Sequence, residues 1–201
     1  MRAFLAIAVL LALAGCQKQG PAGGNAQLPD QPAWAGPKGG ETQTEEIVEA
    51  PKIDRTHKGS PAPTAEFQDP DGEKVSLAVF EGKPLLVNFW ATWCTPCVAE
   101  MPTLDAVAGE MKDRLQVVTL SQDMNGRAKV DAFFNQHRFK TIEPYLDPTM
   151  EMTSALQLGA LPTTILYDAH GREIWRAVGP EDWQSDRAKA LLNEAFQPAK
   201  S

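Results

Sequence analysis

The chain has 201 residues, 22% of them charged, with 26 Asp and Glu against 19 Lys and Arg and a formal net charge of -7. An acidic balance without a basic block excludes nucleic acid as a partner and argues against direct adsorption on anionic lipid. Three cysteines are too few for a disulfide scaffold and leave one unpaired if two of them join.

Met1 and Arg2, followed by the apolar run Ala3 to Ala14, have the charge and length of a signal peptide and are too short to span a bilayer. The run ends Leu13-Ala14-Gly15-Cys16. That ending resembles the lipobox of bacterial lipoproteins, so residues 1–15 are expected to be a lipoprotein signal and Cys16 the lipidated N-terminus. A plain cleavable signal with an incidental cysteine is the other reading. Lipidation would account for the odd cysteine. Gln17 rather than Asp follows it, which by analogy with enteric sorting favours the outer membrane.

Residues 16–60 are rich in Gly, Pro, Gln and Ala with no sustained period, and bury too little apolar surface to offset ordering entropy. A disordered tether is expected there, in which Trp34 and the acidic patch Glu41 to Glu49 are solvated. Residues 61–201 remain as one domain large enough for a real core.

The domain should open with a hairpin, Ala65 to Gln68 and Lys74 to Ser76, around the turn cluster Asp69-Pro70-Asp71-Gly72. A helical turn over Leu77 to Phe80 follows. Leu85 to Trp90 reads as a buried strand. It ends in the turn Ala91-Thr92-Trp93-Cys94-Thr95-Pro96-Cys97, and a helix is expected from Val98 onward. Unpaired N–H groups and the positive dipole end of a helix stabilise thiolate over thiol, which makes Cys94 the more acidic and more exposed sulfur. Three positions on, Cys97 lies on the same side of the helical turn, within reach for a reversible disulfide. The alternative for a lone CxxC is half of a zinc site, which needs two further ligands at matching spacing and a second Cys pair that the chain lacks. No metal site is expected.

Val87-Asn88-Phe89-Trp90-Ala91-Thr92-Trp93-Cys94-Thr95-Pro96-Cys97 resembles the active-site segment of the thioredoxin superfamily, specifically its TlpA/ResA-like thiol-disulfide oxidoreductases. The resemblance runs from about Pro61 to Phe196. It implies an α/β thioredoxin-like fold, a mixed central sheet flanked by helices with an N-terminal hairpin and a central insertion. It also implies a dithiol/disulfide cycle without a cofactor.

Downstream, the helix carries Val98, Met101, Leu104 and Val107 or Ala108 on one face, with Pro102 expected to kink it. The family has a proline at this offset. Then come a strand over Leu115 to Ser121, a helix over Ala128 to His137, a short strand at Tyr145 and Leu146, and a helix over Thr149 to Leu158. The region between Ser121 and Leu158 would be the insertion. Thr163 to Tyr167 and Ile174 to Val178 should pair across Asp168-Ala169-His170-Gly171, before a last helix from Trp183 to Phe196.

The resemblance places a cis-proline against the disulfide at Pro162, leaving the backbone of Leu161 to pair with an extended substrate. Trp93, Thr95 and Pro96 join these two as expected substrate contacts. Asn88 stands where cytoplasmic thioredoxins carry a buried Asp, and an amide cannot exchange protons. Glu100, three residues after Cys97 and on its face of the helix, matches a Glu that the ResA-like branch uses. As a proton acceptor for Cys97 it joins Cys94 and Cys97 as a catalytic residue; as a first-turn acid it would only complement the helix dipole.

The expected activity is protein-disulfide reduction at the periplasmic face of a bacterial membrane by a lipid-anchored monomer. By family, the electron donor is a membrane thiol transporter and apocytochrome c a possible substrate. A disulfide-introducing oxidase has the same residues and differs in potential. A peroxidase of peroxiredoxin type is disfavoured by Trp93 and the paired Cys97. A copper-binding assembly factor would use the two cysteines with a distant histidine, but His137 ends a surface helix and His170 sits in a hairpin turn.

Overall fold

A computed structural model describes residues 50–124 and 126–197. The signal segment, Cys16, and the tether up to residue 49 lie outside the described residues. Among those described there are eight strands and four α-helices: β1 Lys52–Asp54, β2 Phe67–Gln68, β3 Lys74–Val75, β4 Leu85–Trp90, α1 Thr95–Met111, β5 Gln116–Ser121, α2 Arg127–His137, β6 Pro144–Leu146, α3 Glu151–Ala155, β7 Thr163–Tyr167, β8 Glu173–Val178 and α4 Asp186–Leu192. Single 3-10 turns follow β3, at Leu77–Phe80, and α4, at Asn193–Phe196.

β4 is the axis of the molecule. All six of its residues are buried, as a strand covered on both faces requires. Its alternation sends Leu85, Val87 and Phe89 into one core, with Phe67, Met152, Ile165 and Tyr167, and Leu86 and Trp90 into the other, with Met101, Leu104, Val107, Trp175 and Trp183. Asn88 shares the parity of Leu86 and Trp90, so its amide enters the α1 side.

The strands form one mixed sheet in the order β1-β8-β7-β4-β5-β6-β2-β3. β4, β5 and β6 are parallel, and β7 runs antiparallel to β4 with Asn88 opposite Thr164. β7 continues into the antiparallel β8. The N-terminal hairpin adds to the far edge, where Gln68 pairs with Leu146. The mixed sheet with flanking helices is the architecture expected; within the region assigned to the insertion lie α2, β6 and α3, and β6 supplies the edge on which that hairpin docks.

Four of the differences from the expected boundaries have identifiable causes. β1 lies inside the segment expected to be tether: Lys52, Ile53 and Asp54 pair with Val178, Ala177 and Arg176. The Gly59 N–H then donates to the Glu173 carbonyl at 2.7 Å. The folded unit therefore begins before residue 61, because the β8 edge offers unpaired backbone that an adjacent segment can satisfy. Second, α1 starts at Thr95 rather than Val98, with Cys94 as its N-cap and Pro96 in its first turn, where a proline removes no intrahelical bond. Third, α3 occupies only Glu151–Ala155 of the expected Thr149 to Leu158. Its carboxylate cap Asp147 accepts from the Glu151 and Thr153 N–H groups, and Gln157 at φ 54 follows its end. Fourth, the last helix begins at Asp186 instead of Trp183, where the Ser185 side chain caps the Ala188 N–H. Pro102 withholds one donor, yet α1 continues through it to Met111.

Candidate active site

The strand-turn-helix junction brings the two cysteines together. Cys94 and Cys97 form a disulfide with an S–S distance of 2.02 Å and Cα atoms 5.3 Å apart. Cys97 is fully buried and Cys94 is 6% exposed. The order of exposure is as expected, but Cys94 is more covered than the sequence suggested; Trp93, at 66% exposure, and Thr95 and Pro96 are the surface of the turn. A backbone bond from Cys94 N–H to the Ala91 carbonyl, 3.1 Å, closes the turn, and Val98 N–H to the Cys94 carbonyl, 3.0 Å, opens the helix. Pro96 has no N–H, so the Thr95 and Cys97 amides are the helix-end donors left next to the sulfurs.

Behind Cys97 lies Glu100, 4% exposed. Its Oε1 accepts from Asn88 Nδ2 at 2.7 Å, and its Oε2 accepts from the Glu181 N–H at 3.0 Å. Asn88 Nδ2 also donates to Thr164 Oγ1 at 2.9 Å, while its Oδ1 is buried without a partner among the described residues. The lid over this carboxylate is the segment after β8: the Trp183 N–H donates to Thr103 Oγ1, and Thr103 Oγ1 donates to the Glu100 carbonyl. Burial pushes the Glu100 carboxyl up to about 7, against the lowering effect of the Glu181 and Asn88 bonds and the Trp183 side chain. Such a group can take or return a proton in the neutral range.

At Thr92, two residues before Cys94, the structure places a carboxylate that the sequence reading missed. Asp123, 4% exposed, accepts from Thr92 N–H at 2.8 Å through Oδ2 and from Thr92 Oγ1 at 2.7 Å through Oδ1. Ser121 Oγ, 2.9 Å, and Lys129 Nζ, 3.2 Å, complete its shell. Only its place in the loop after β5 hinted at it, and Thr92 is 31 positions away.

The Leu161–Pro162 peptide is cis. The β7 ladder starts at Thr163, so the main chain of Leu161 stands outside it, while its side chain packs against both cores. The two histidines considered for copper lie elsewhere: His137 Nδ1 meets the Phe133 carbonyl at 2.9 Å and its ring stacks on Phe139, and His170 is exposed in the β7–β8 turn. Among the described residues no cluster of three His, Cys, Asp or Glu side chains is poised for a metal ion.

Residues 57–192 match the Redoxin family. The chain belongs to that family, as a ResA-like member of the thioredoxin superfamily. Among its relatives is thiol-disulfide oxidoreductase ResA of Bacillus thuringiensis (strain Al Hakam), 31% identical over 124 residues that cover 61% of this chain and 70% of that one. Thioredoxin-like protein YneN of Bacillus subtilis is 31% identical over 57% of this chain and 67% of its own. A crystal structure of a thiol:disulfide interchange protein from Chlorobium tepidum superposes with a TM-score of 0.59 at 25% identity, over 70% of this chain and 98% of that one. The redoxin carries its Cys94–Cys97 pair as a thiol-disulfide oxidoreductase.

Proposed function

We propose that this redoxin is a lipid-anchored protein-disulfide reductase of the bacterial cell envelope. The observation that carries the reading is the buried Asn88–Glu100 pair one helical turn from Cys97. Reduction requires the second thiol to lose its proton after the first has been consumed, and a carboxyl held near 7 inside the fold is matched to that step.

The Cys94 thiolate attacks one sulfur of a substrate disulfide, forming a mixed disulfide and expelling the first substrate thiolate, which takes a proton from solvent. Glu100 accepts the Cys97 proton; the Cys97 thiolate attacks Cys94 Sγ, restores the protein disulfide and expels the second substrate thiolate. Two electrons pass from protein to substrate. A membrane thiol donor then reduces the pair. Trp93, Thr95 and Pro96 offer the contact surface around Cys94, and the free main chain of Leu161 before Pro162 suits one residue of strand addition. Disulfide-bearing proteins, apocytochrome c among them, are the substrate class. The Cys16 lipobox supports the anchor, and the outer membrane is favoured by Gln17.

The deciding measurement is the potential of the Cys94/Cys97 couple by equilibration with glutathione. A value near about -270 mV fits a reductase, and one approaching about -120 mV would make the protein an oxidase. In cells, Cys16→Ser is expected to release the protein from membranes without moving that potential; retention would remove the lipid from the reading.

A further inference from the structure

The bonds Asp123 makes belong neither to the proton transfer nor to the substrate contacts proposed above, and two of them go to a single residue of the cysteine turn. A carboxylate buried this deeply is retained only with a full set of donors, and it has four. Two of them come from Thr92, the N–H and the hydroxyl, on separate oxygens. Thr92 lies inside the turn that Cys94 N–H closes on Ala91, two residues before the nucleophile. The carboxylate's own footing is the central sheet: Ser121, whose Oγ donates to Oδ2 and accepts from the Asp123 N–H, ends β5 opposite Trp90 of β4, and Gln122 N–H donates to the Trp90 carbonyl. The strut thus ties the turn to the sheet without using either sulfur.

We propose that Asp123 is a positioning residue for the redox pair, whose double bond to Thr92 keeps the Cys94 turn in its disulfide geometry after the disulfide has opened. In the oxidised protein the Cys94–Cys97 bond and the Asp123–Thr92 bonds hold the turn together. In the dithiol the disulfide is gone, and the Asp123–Thr92 bonds remain. They raise the effective concentration of Cys94 and Cys97 toward each other, which favours disulfide re-formation and speeds the attack of Cys97 on a mixed disulfide at Cys94.

The test is the potential of Asp123 variants. Asp123→Ala is expected to lower the equilibrium constant for disulfide formation against glutathione about tenfold, a rise in potential of about 30 mV. Mixed disulfides should resolve about tenfold more slowly. Asp123→Asn keeps an acceptor for the Thr92 N–H and offers an amide N–H to the Thr92 hydroxyl, so it should return most of the potential while lacking the charge. Thr92→Val removes only the hydroxyl bond and should shift the equilibrium by a smaller factor in the same direction; it stands in if Asp123→Ala does not fold. Asp105 is the structural comparison, a carboxylate that accepts from Lys140, Thr141 and Ile142 N–H groups away from the turn. Asp105→Asn should lower thermal stability and leave the potential alone. Because the potential reports the difference between oxidised and reduced protein, a scaffold role would weaken both states equally. An unchanged potential in Asp123→Ala, or in Thr92→Val as its stand-in, would therefore overturn the proposal. Equal shifts in Asp123→Ala and Asp123→Asn would overturn it too, by assigning the effect to charge.

Discussion

Two buried carboxylates belong to the site, Glu100 one helical turn after Cys97 and Asp123 bonded to Thr92 two residues before Cys94; each is 4% exposed, and they have opposite electrostatic characters. Burial raises both. At Glu100 it prevails and the carboxyl is pushed up to about 7. At Asp123 the Thr92 N–H and hydroxyl, the Ser121 hydroxyl and the Lys129 ammonium outweigh it, and the carboxyl lies below its ordinary value. Burial alone therefore does not decide ionisation; the number and kind of donors do. Glu100 has one amide, one backbone N–H and an indole near it, and Glu181 close by adds a repulsive charge. The difference fits a division of labour, in which the group one turn after Cys97 changes its protonation state and the group bonded to Thr92 stays charged and holds its place.

The largest expected effect separates the two sulfurs themselves. Cys97→Ser should accumulate mixed disulfides through Cys94, since the nucleophile remains and the resolving thiol is gone. Cys94→Ser should form none, with turnover abolished in both. Non-reducing gels and intact-mass measurement after mixing with a disulfide peptide read the outcome. Adducts on Cys94→Ser instead would invert the assignment and leave Glu100 beside the attacking sulfur.

Next in size is the loss of the titrating group. Glu100→Gln should slow disulfide reduction at neutral pH by about 10², and the inflection near pH 7 in the rate profile should vanish. The fold tolerates the change: Gln can accept from Glu181 N–H with its oxygen, while Asn88 turns its unpartnered Oδ1 to accept from the new amide. The stability consequence has a definite sign. A carboxyl whose folded pKa is raised contributes stability that is complete below about 4.5 and is lost as pH rises through about 7. Denaturant titrations should show the wild type losing on the order of 3 kcal/mol relative to Glu100→Gln across that window. Glu110→Gln is the control, an exposed residue that accepts from Gln184 and faces Lys189. Equal pH profiles for the two variants would reduce Glu100 to a structural acid.

The two carboxylates also mark what could be read from the chain. β4 and the cysteine turn were legible because each is local, an unbroken apolar run and a CxxC at a strand end, while spacing gave Glu100 only its helix face and family resemblance its proposed role. The cis Leu161–Pro162 bond came from family resemblance, not from the residues themselves. Asp123 and β1 were not legible, because their meaning lies in partners far along the chain. Lys52–Asp54 has a single apolar residue and becomes a strand only through β8, more than 120 positions away. Asp123 sits in a polar loop like many others until the fold brings Thr92 to it. The Glu181 and Trp183 lid was missed for the same reason, since a segment with one Trp after a strand reads as the start of the last helix rather than the cover of a carboxylate.

The smallest expected effect tests what holds the Asp123 charge in place. Lys129 Nζ is 3.2 Å from Asp123 Oδ1, but its side chain is largely exposed, whereas the other three donors lie within the fold or at its edge. A half-exposed ion pair of this kind contributes only about 0–1 kcal/mol, screened further by salt. Lys129→Ala should therefore lower the melting temperature by no more than about 4 °C for a chain of this size. It should leave the Cys94/Cys97 potential where it is, because both Thr92 bonds persist. Raising the ionic strength of the wild type to 0.5 M, roughly a 4 Å Debye length, should mimic the variant. A shift in potential matching that of Asp123→Ala would mean that the ammonium, and not the Thr92 pair, governs the turn. The contrast between the two carboxylates would then be one of charge pairing at the surface rather than of hydrogen-bond donors inside the fold.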